Sequence, residues 1–326
     1  MSIQKIARLA GVSVATVSRV LNNSDTVKDA NREKVLKAIK ASNYQPNLLA
    51  RQLRTARSSM LLVMVSDISN PFCAEVVKGI EEEAEKNGYR ILLCNSGSDI
   101  ERSRSSLQLL SGKMVDGIIT MDAFSKLPEL SQLIADTPWV QCAEYADAGE
   151  ISCVGINDRD ASQQVVGYLA DKGHNRIALI NHDLSYKYAR LRQEGYLQAL
   201  AGHQLTWQAI SYASELSFHA GKQAMMVLLE SEERLDAVFA VSDTLAAGAM
   251  AAIQAAGYRV PDDIAVAGFD GTELAEMVTP PLTTLAQPSR NIGRNACRLV
   301  LQKIDTPQSA PERIIMQGHL IKRASA

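Results

Sequence analysis

The 326-residue chain is 46% apolar and sets 34 Lys and Arg against 36 Asp and Glu, a formal net charge of -2. This composition excludes a disordered polar chain and a collagen-like one, and no apolar run approaches the roughly 20 residues that a membrane helix needs. Charge is unevenly placed: residues 1–58 hold eleven basic groups against Asp25, Asp29 and Glu33, a head of +8 on a remainder of -10. A basic head favours a polyanion, with nucleic acid the leading candidate; the alternative is a solvated helical face. The opening MSIQKIARLAGVS lacks the apolar core and cleavage site of a secretory signal. Five scattered Cys, none in a CxxC pair, predict reduced, mostly buried thiols in a cytoplasmic protein without a metal site.

The head predicts three short helices. Ser2 can cap the first, over residues 3–10, and Ile6, Leu9 and Ala10 follow helical spacing. Gly11 supplies a turn, and Ser13 caps a second helix over residues 14–22. There Val17, Val20 and Leu21 share one face, leaving Val14, Ala15, Ser18, Arg19 and Asn22 on the other. A third helix, residues 29–42, turns Val35, Leu36 and Ile39 inward. Such a helix-turn-helix suits reading of the DNA major groove by the second helix. Arg19 can fork onto a guanine edge, Ser18 and Asn22 can reach bases or phosphates, and Ala15 or Thr16 can touch a thymine methyl. Pro46 ends the third helix. Asn47 can then cap a segment holding Leu48, Leu49 and Leu53 beside Arg51, Arg54 and Arg57, which is a basic linker or a helix too short to stand alone in water.

From Met60 the period changes. An apolar strand, MLLVMVSD, precedes a helix with Cys73, Val76, Val77, Ile80 and Ala84 inward. Strands are predicted at 90–94, 117–121, 139–142, 176–181, 237–241 and 265–268, with helices at 102–111, 163–173, 191–201 and 244–256 between them. Residues 282–286 and 313–320 read as extended segments around a helix at 289–303. Strand and helix alternate, so the sheets should be parallel and doubly wound, in two units that fit the length. Polar residues follow several strand ends, where ligands of such folds bind: Ser66 and Asp67, Asn70 before Phe72, Glu144, Ser242 and Asp243, and Asp270. Carboxylates and an Arg such as Arg192 suit sugar hydroxyls, because a carboxylate accepts two hydroxyl protons and a guanidinium donates a fork. Asp158 and Asp243 could instead cap helices, Phe72 could be first-turn core, and Arg190 could be a surface ion pair.

The runs IARLAGVSVATVSRVLNN and VKDANREKVLKAIKASNYQPNLLARQLRT, then NPFCAEVVKGIEEEAEKNGY, VDGII, LRQEGY, SDTLAAGAM, VPDDIAVAGFD and PPLTTLAQP, resemble the lactose-repressor/galactose-repressor family over essentially the whole chain. The cytidine-repressor and purine-repressor branch is the most similar. The resemblance implies a DNA-binding domain at 1–46, a hinge helix at 47–58 and a two-lobed, periplasmic-binding-protein-like body at 59–326. The first lobe would hold about 59–156 and 287–317, and the second about 157–286 and 318–326. In the hinge, Leu53 would wedge into the minor groove and Ala50 and Arg54 would line it. In the body, the resemblance marks Arg192 and Asp270 as effector ligands, then Phe72 and Glu144, then Tyr186, Tyr188 and Asn157. It implies a homodimer on palindromic operator DNA, with the helix after Phe72 and the helix at 244–256 as candidate contacts. The chain stops at KRASA, with no heptad tail to join dimers into a tetramer. Leu216 or Phe218 stands where base-binding relatives place an aromatic, so a sugar and a nucleoside stay equally open.

Enzyme signatures, GxSxG, P-loop, HExxH and a dinucleotide GxGxxG, do not occur. The five His stand apart and read as surface or structural. No cofactor or membrane contact is expected. The expectation is therefore a cytoplasmic, nucleoid-associated transcriptional regulator, a repressor whose operator affinity is controlled by a small sugar or nucleoside bound between the lobes. A sugar receptor for transport, or a sugar enzyme, would share the body but not the basic head.

Overall fold

The computed structural model describes residues 2–21, 26–42, 57–97, 99–122, 133–134, 137–146, 151–230 and 234–326. The chain divides into two compact units, Met1–Ser58 and Ser59–Ala326.

In the first unit, α1 (Ile3–Ala10), α2 (Val14–Leu21) and α3 (Asp29–Ser42) enclose a small core. Ser2 Oγ accepts the Lys5 N–H at 3.4 Å and starts α1, and Gly11, at φ 64°, ends it. Only a residue without a side chain takes that left-handed conformation at no steric cost. Ser13 Oγ accepts the Thr16 N–H at 3.1 Å and starts α2. The core is Ile6, Ala7, Ala10, Val17, Val20, Val27, Val35 and Ala38. Two expected core residues are not in it: Leu9 is 60% exposed and Leu36 is 52% exposed. Each lies next in sequence to a buried residue (Ala10 and Val35), and one helical step turns a side chain by about 100°. The buried stripes run through residues 3, 6, 7 and 10 and through 35, 38 and 39, and both leucines fall off them.

The second unit is two α/β lobes. Its first sheet has the order β11-β5-β4-β3-β1-β2, from β1 (Met60–Val65), β2 (Arg90–Asn95), β3 (Gly117–Thr120), β4 (Trp139–Cys142), β5 (Ser152–Ile156) and β11 (Arg313–Met316). All its pairings are parallel. The run MLLVMV of β1 is buried on both faces from Leu61 on, as a central parallel strand covered by helices requires. Helices α4 (Pro71–Lys86), α5 (Ile100–Ser111) and α11 (Ser289–Asp305) accompany it. Packing of α4 on α11 is set by two glycines: a Cβ on Gly79 would meet Arg290 O at 2.2 Å, and one on Gly293 would meet Val76 O at 2.1 Å.

The second sheet has the order β12-β10-β9-β8-β6-β7, from β6 (Ile177–Asn181), β7 (Ala209–Tyr212), β8 (Ala237–Ala240), β9 (Ala265–Asp270), β10 (Thr283–Ala286) and β12 (His319–Ile321). Helices α6 (Asp158–Asp171), α7 (Lys187–Gly202), α8 (Phe218–Leu229), α9 (Asp243–Ala255) and the short α10 (Leu274–Met277) belong to this lobe. The chain passes between sheets at Asn157, at Gln287-Pro288 and at Gln317-Gly318. β12 is antiparallel to β10, a departure from an all-parallel lobe. The reason is local: β10 leaves its lobe at the junction and β12 enters there, so paired neighbours must run in opposite senses. Among the described residues no helix is long and apolar enough to cross a membrane.

Candidate ligand cavity and nucleic-acid interface

On α2, Val17 and Val20 are buried, while Ser13, Val14, Ala15 and Arg19 are exposed, with Thr16 and Ser18 half-buried. The residues expected to read bases thus occupy the face opposite the core. Ser13 is also committed to the cap, with its Oγ 2.9 Å from Thr16 Oγ1. Asn22 and the hinge residues Ala50, Leu53 and Arg54 lie outside the described residues.

In the body, the carboxyl ends of the strands of both sheets face one cavity of about 440 Å³. Phe72, Glu144, Tyr186, Tyr188, Arg192 and Asp270 all line it. The first lobe also brings Ser66 and Asp67 from the end of β1. Phe72 sits there because Asn70 Oδ1 accepts its N–H at 2.9 Å, and Pro71 opens α4 without a donor to satisfy. Asn157 does not line the cavity; its Oδ1 accepts the Asp160 N–H at 3.4 Å and caps α6.

Arg192, one turn into α7, is the centre of the second lobe's wall. Its Nε donates to Asp158 Oδ1 at 2.8 Å and its Nη1 to the Val241 carbonyl at 2.6 Å. Asp270 Oδ1 stands 4.0 Å from Nη1. The guanidinium lies 3.6 Å from the Phe269 ring centre and 4.9 Å from that of Tyr188, so cation–π contact holds its plane. Asp270 ends β9 at φ 109°, outside the ordinary range for a residue with a side chain, and accepts from Gln287 Nε2 at 2.8 Å. Burial pushes its carboxyl up to about 8 against the pull of Arg192, helped by the nearby Asp243. Burial also raises Asp158, again against Arg192.

Asp243 is not a helix cap; Ser242 Oγ caps α9 by accepting the Leu245 N–H at 3.2 Å. Asp243 Oδ2 instead accepts from Thr272 N at 2.7 Å and from Thr272 Oγ1 at 2.9 Å, fixing the loop behind Asp270. Burial raises it to about 6. Arg190 is no salt bridge either: its Nη1 donates to the Leu184 and Ser185 carbonyls at 2.9 and 3.0 Å.

Glu144 borders the cavity from the end of β4, and its oxygens are already engaged across the lobe junction. Oε1 accepts the Lys187 N–H at 2.8 Å and Oε2 the Tyr188 N–H at 3.3 Å. The residue at the N-cap position, Tyr186, makes no side-chain cap. A carboxylate of the first lobe therefore caps α7 of the second. Lining residues that were not expected as ligands include Asp158, Gln287 and His182. His182 stacks on Tyr186 with centres 4.8 Å apart and its Nδ1 is 2.6 Å from Tyr188 Oη. Burial lowers its basicity. Its position directly after β6 was the available signal; Gln287 likewise follows β10. The described residues hold no cluster of three His, Cys, Asp or Glu that could bind a metal.

Residues 2–47 match the model for bacterial regulatory proteins of the lacI family, and residues 166–326 match that for periplasmic binding protein-like domains. The ribose operon repressor of Escherichia coli (strain K12) is 36% identical over 329 residues, covering 100% of this chain and 99% of the relative. The HTH-type transcriptional repressor PurR of Vibrio atlanticus (strain LGP32) is 34% identical over 328 residues, covering 99% and 98%. The chain belongs to the LacI family. A solved lac repressor dimer, bound to operator and the anti-inducer ONPF, shares the LacI-family architecture at a TM-score of 0.89 and 29% identity, over 100% of this chain and 98% of that one. LacI-family membership makes the head a DNA-binding helix-turn-helix and the chain a transcriptional regulator rather than an enzyme. The LacI head also separates it from a transport receptor, whose body alone would look similar.

Proposed function

We propose that this LacI-family protein is a homodimeric repressor in the cytoplasm, at the nucleoid, whose grip on a palindromic operator is set by a sugar or nucleoside held between its lobes. The observation that carries the reading is the composition of the cavity wall: Phe72 stands in the first lobe and Arg192 and Asp270 in the second. A ligand touching all three fixes the angle between lobes, and a change of that angle is what a DNA-gating signal needs. Coupling of this kind is reciprocal: an effector that weakens operator binding is itself bound more weakly by the operator complex. The name of one relative, the ribose operon repressor, supports a sugar signal. Residues 47–58, with Leu53 as minor-groove wedge between Ala50 and Arg54, are assigned as the hinge that carries the signal to DNA.

The test is an electrophoretic mobility shift on palindromic DNA, with and without candidate sugars and nucleosides. Retention of the palindrome over scrambled DNA, altered by at least one candidate, is the expected result; equal retention of both DNAs refutes the reading. In the same assay Arg19→Ala should lose roughly 1–3 kcal/mol of discrimination at one base pair while non-specific binding persists. Unchanged affinity for both DNAs would remove Arg19 from the recognition face.

A further inference from the structure

The electrostatics of the cavity bear on which ligands it admits. Six carboxylates line it, Asp67, Glu144, Asp158, Asp183, Glu215 and Asp270, against one guanidinium, Arg192, among the described residues. Two of its five N–H groups are engaged, Nε on Asp158 and Nη1 on the Val241 carbonyl, and one face is on Phe269. A phosphate or carboxylate would have to compete with Asp158 and that carbonyl for the N–H pairs that Nε and Nη1 form with Nη2. The ammonium of Lys187, at the start of α7, lies 4.1 Å from the Tyr145 ring centre and outside the cavity lining, so its charge reaches the wall only through Asp158.

Helix starts are the other usual anion-binding devices. Around this cavity a side chain already takes at least one leading amide at each. Asn70 takes the Phe72 N–H of α4, Asn157 the Asp160 N–H of α6, and Ser217 the Ala220 N–H of α8 at 3.1 Å. At α7 the occupant is itself an anion, the Glu144 carboxylate, on the N–H groups of Lys187 and Tyr188. A bound phosphate would meet six lining carboxyl groups, with one partly engaged guanidinium and partly capped helix starts to offset them.

We propose that the cavity takes an uncharged polyhydroxylated ligand and rejects its phosphorylated and carboxylated counterparts. The inference rests on the reading of this cavity as the effector site. Vicinal hydroxyls suit its acceptor-rich wall, because each hydroxyl donates one proton and an ionised carboxylate can only accept. Phosphorylation or oxidation of the same ligand adds charge without adding a donor.

Thermal shift on the full chain, followed by calorimetry of each responder, tests this with matched probes: ribose and ribose 5-phosphate, glucose, glucose 6-phosphate and gluconate, adenosine and its 5'-monophosphate, and inorganic phosphate alone. A neutral compound should raise the melting temperature, and its charged counterpart should bind at least about 100-fold more weakly. Glu215→Lys, at an exposed rim position, should narrow that ratio at least about tenfold. A charged probe that binds as tightly as its neutral partner, or saturable protection by inorganic phosphate, overturns the proposal. An unchanged ratio in Glu215→Lys overturns its electrostatic cause. Silence from all neutral probes overturns the polyhydroxyl assignment, and a mobility shift with operator DNA in the same preparation shows whether the regulator reading fails with it.

Discussion

Replacing Arg192 with Met should destabilise the body by about 3–5 kcal/mol, the cost of leaving buried charge without its partner. The guanidinium is 6% exposed and sits between Asp158 and Asp270, both of which are also buried. Met fills much of the volume and keeps contact with Phe269, so the loss isolates charge from packing. Burial already raises both carboxyls against the pull of Arg192, so without the guanidinium their ionisation costs more and the defect should deepen as pH rises. Urea denaturation near neutral pH reads the loss. Asp158→Asn added to Arg192→Met should restore part of it, because the variant then holds one unpaired carboxyl fewer. An Arg192→Met protein as stable as wild type would mean that the cluster is solvated and not a buried network.

Asp270→Asn should change pH dependence more than fold. Asparagine keeps an acceptor for Gln287 Nε2 and tolerates positive φ, which Ala at φ 109° would not. In wild type the native state holds a proton on Asp270 up to about pH 8, and the unfolded chain releases it near the ordinary carboxylate value of 3.8. Raising pH across that window therefore favours the unfolded chain, so stability is full below the lower value and falls as pH climbs to the upper one. Asp243, raised to about 6, contributes over the lower part of the window, which leaves the interval from about 6 to about 8 to Asp270. The variant should lose the slope in that interval and part of the slope below it. Ligand binding should mirror this: hydroxyl donors favour the ionised carboxylate, so wild-type affinity strengthens through about pH 8 with proton release. Above that pH the variant should bind more weakly by about 1.5–3 kcal/mol, the worth of hydrogen bonds to a charged acceptor. Calorimetry in buffers of different ionisation enthalpy counts the proton, and equal proton counts for both proteins would refute the assignment.

Residues differ in how much of this was written locally. The head was legible because a helix-turn-helix is built from contacts a few residues apart, with a serine cap, a glycine turn and a short apolar stripe. Leu9 and Leu36 misled because spacing alone does not choose between two stripes one step apart, and only the partner helix does. The strand-helix alternation of the body was legible, but β5, β7, α8 and the short α10 were not anticipated. The four residues of β7 are only partly buried at an edge, and α8 exposes Phe218, Met226 and Val227. Cavity residues at strand ends could be proposed from position, since a parallel sheet gathers all such ends on one side. The pairing of Arg192 with Asp158, 34 residues away, and the engagement of Gln287 by Asp270 depend on register between distant segments. No local pattern states that register.

The first turn of α7 is completed by a residue that belongs to another lobe. When the lobes part, the Lys187 and Tyr188 amides lose Glu144 and must turn to water, and the helix itself offers no substitute at Tyr186. Their exchange with deuterated solvent is consequently metered by the opening of the cleft and not by the stability of the helix beyond them. The protein thus carries two backbone protons that act as a clock on the opening of its cleft, readable without DNA and before any ligand has been identified.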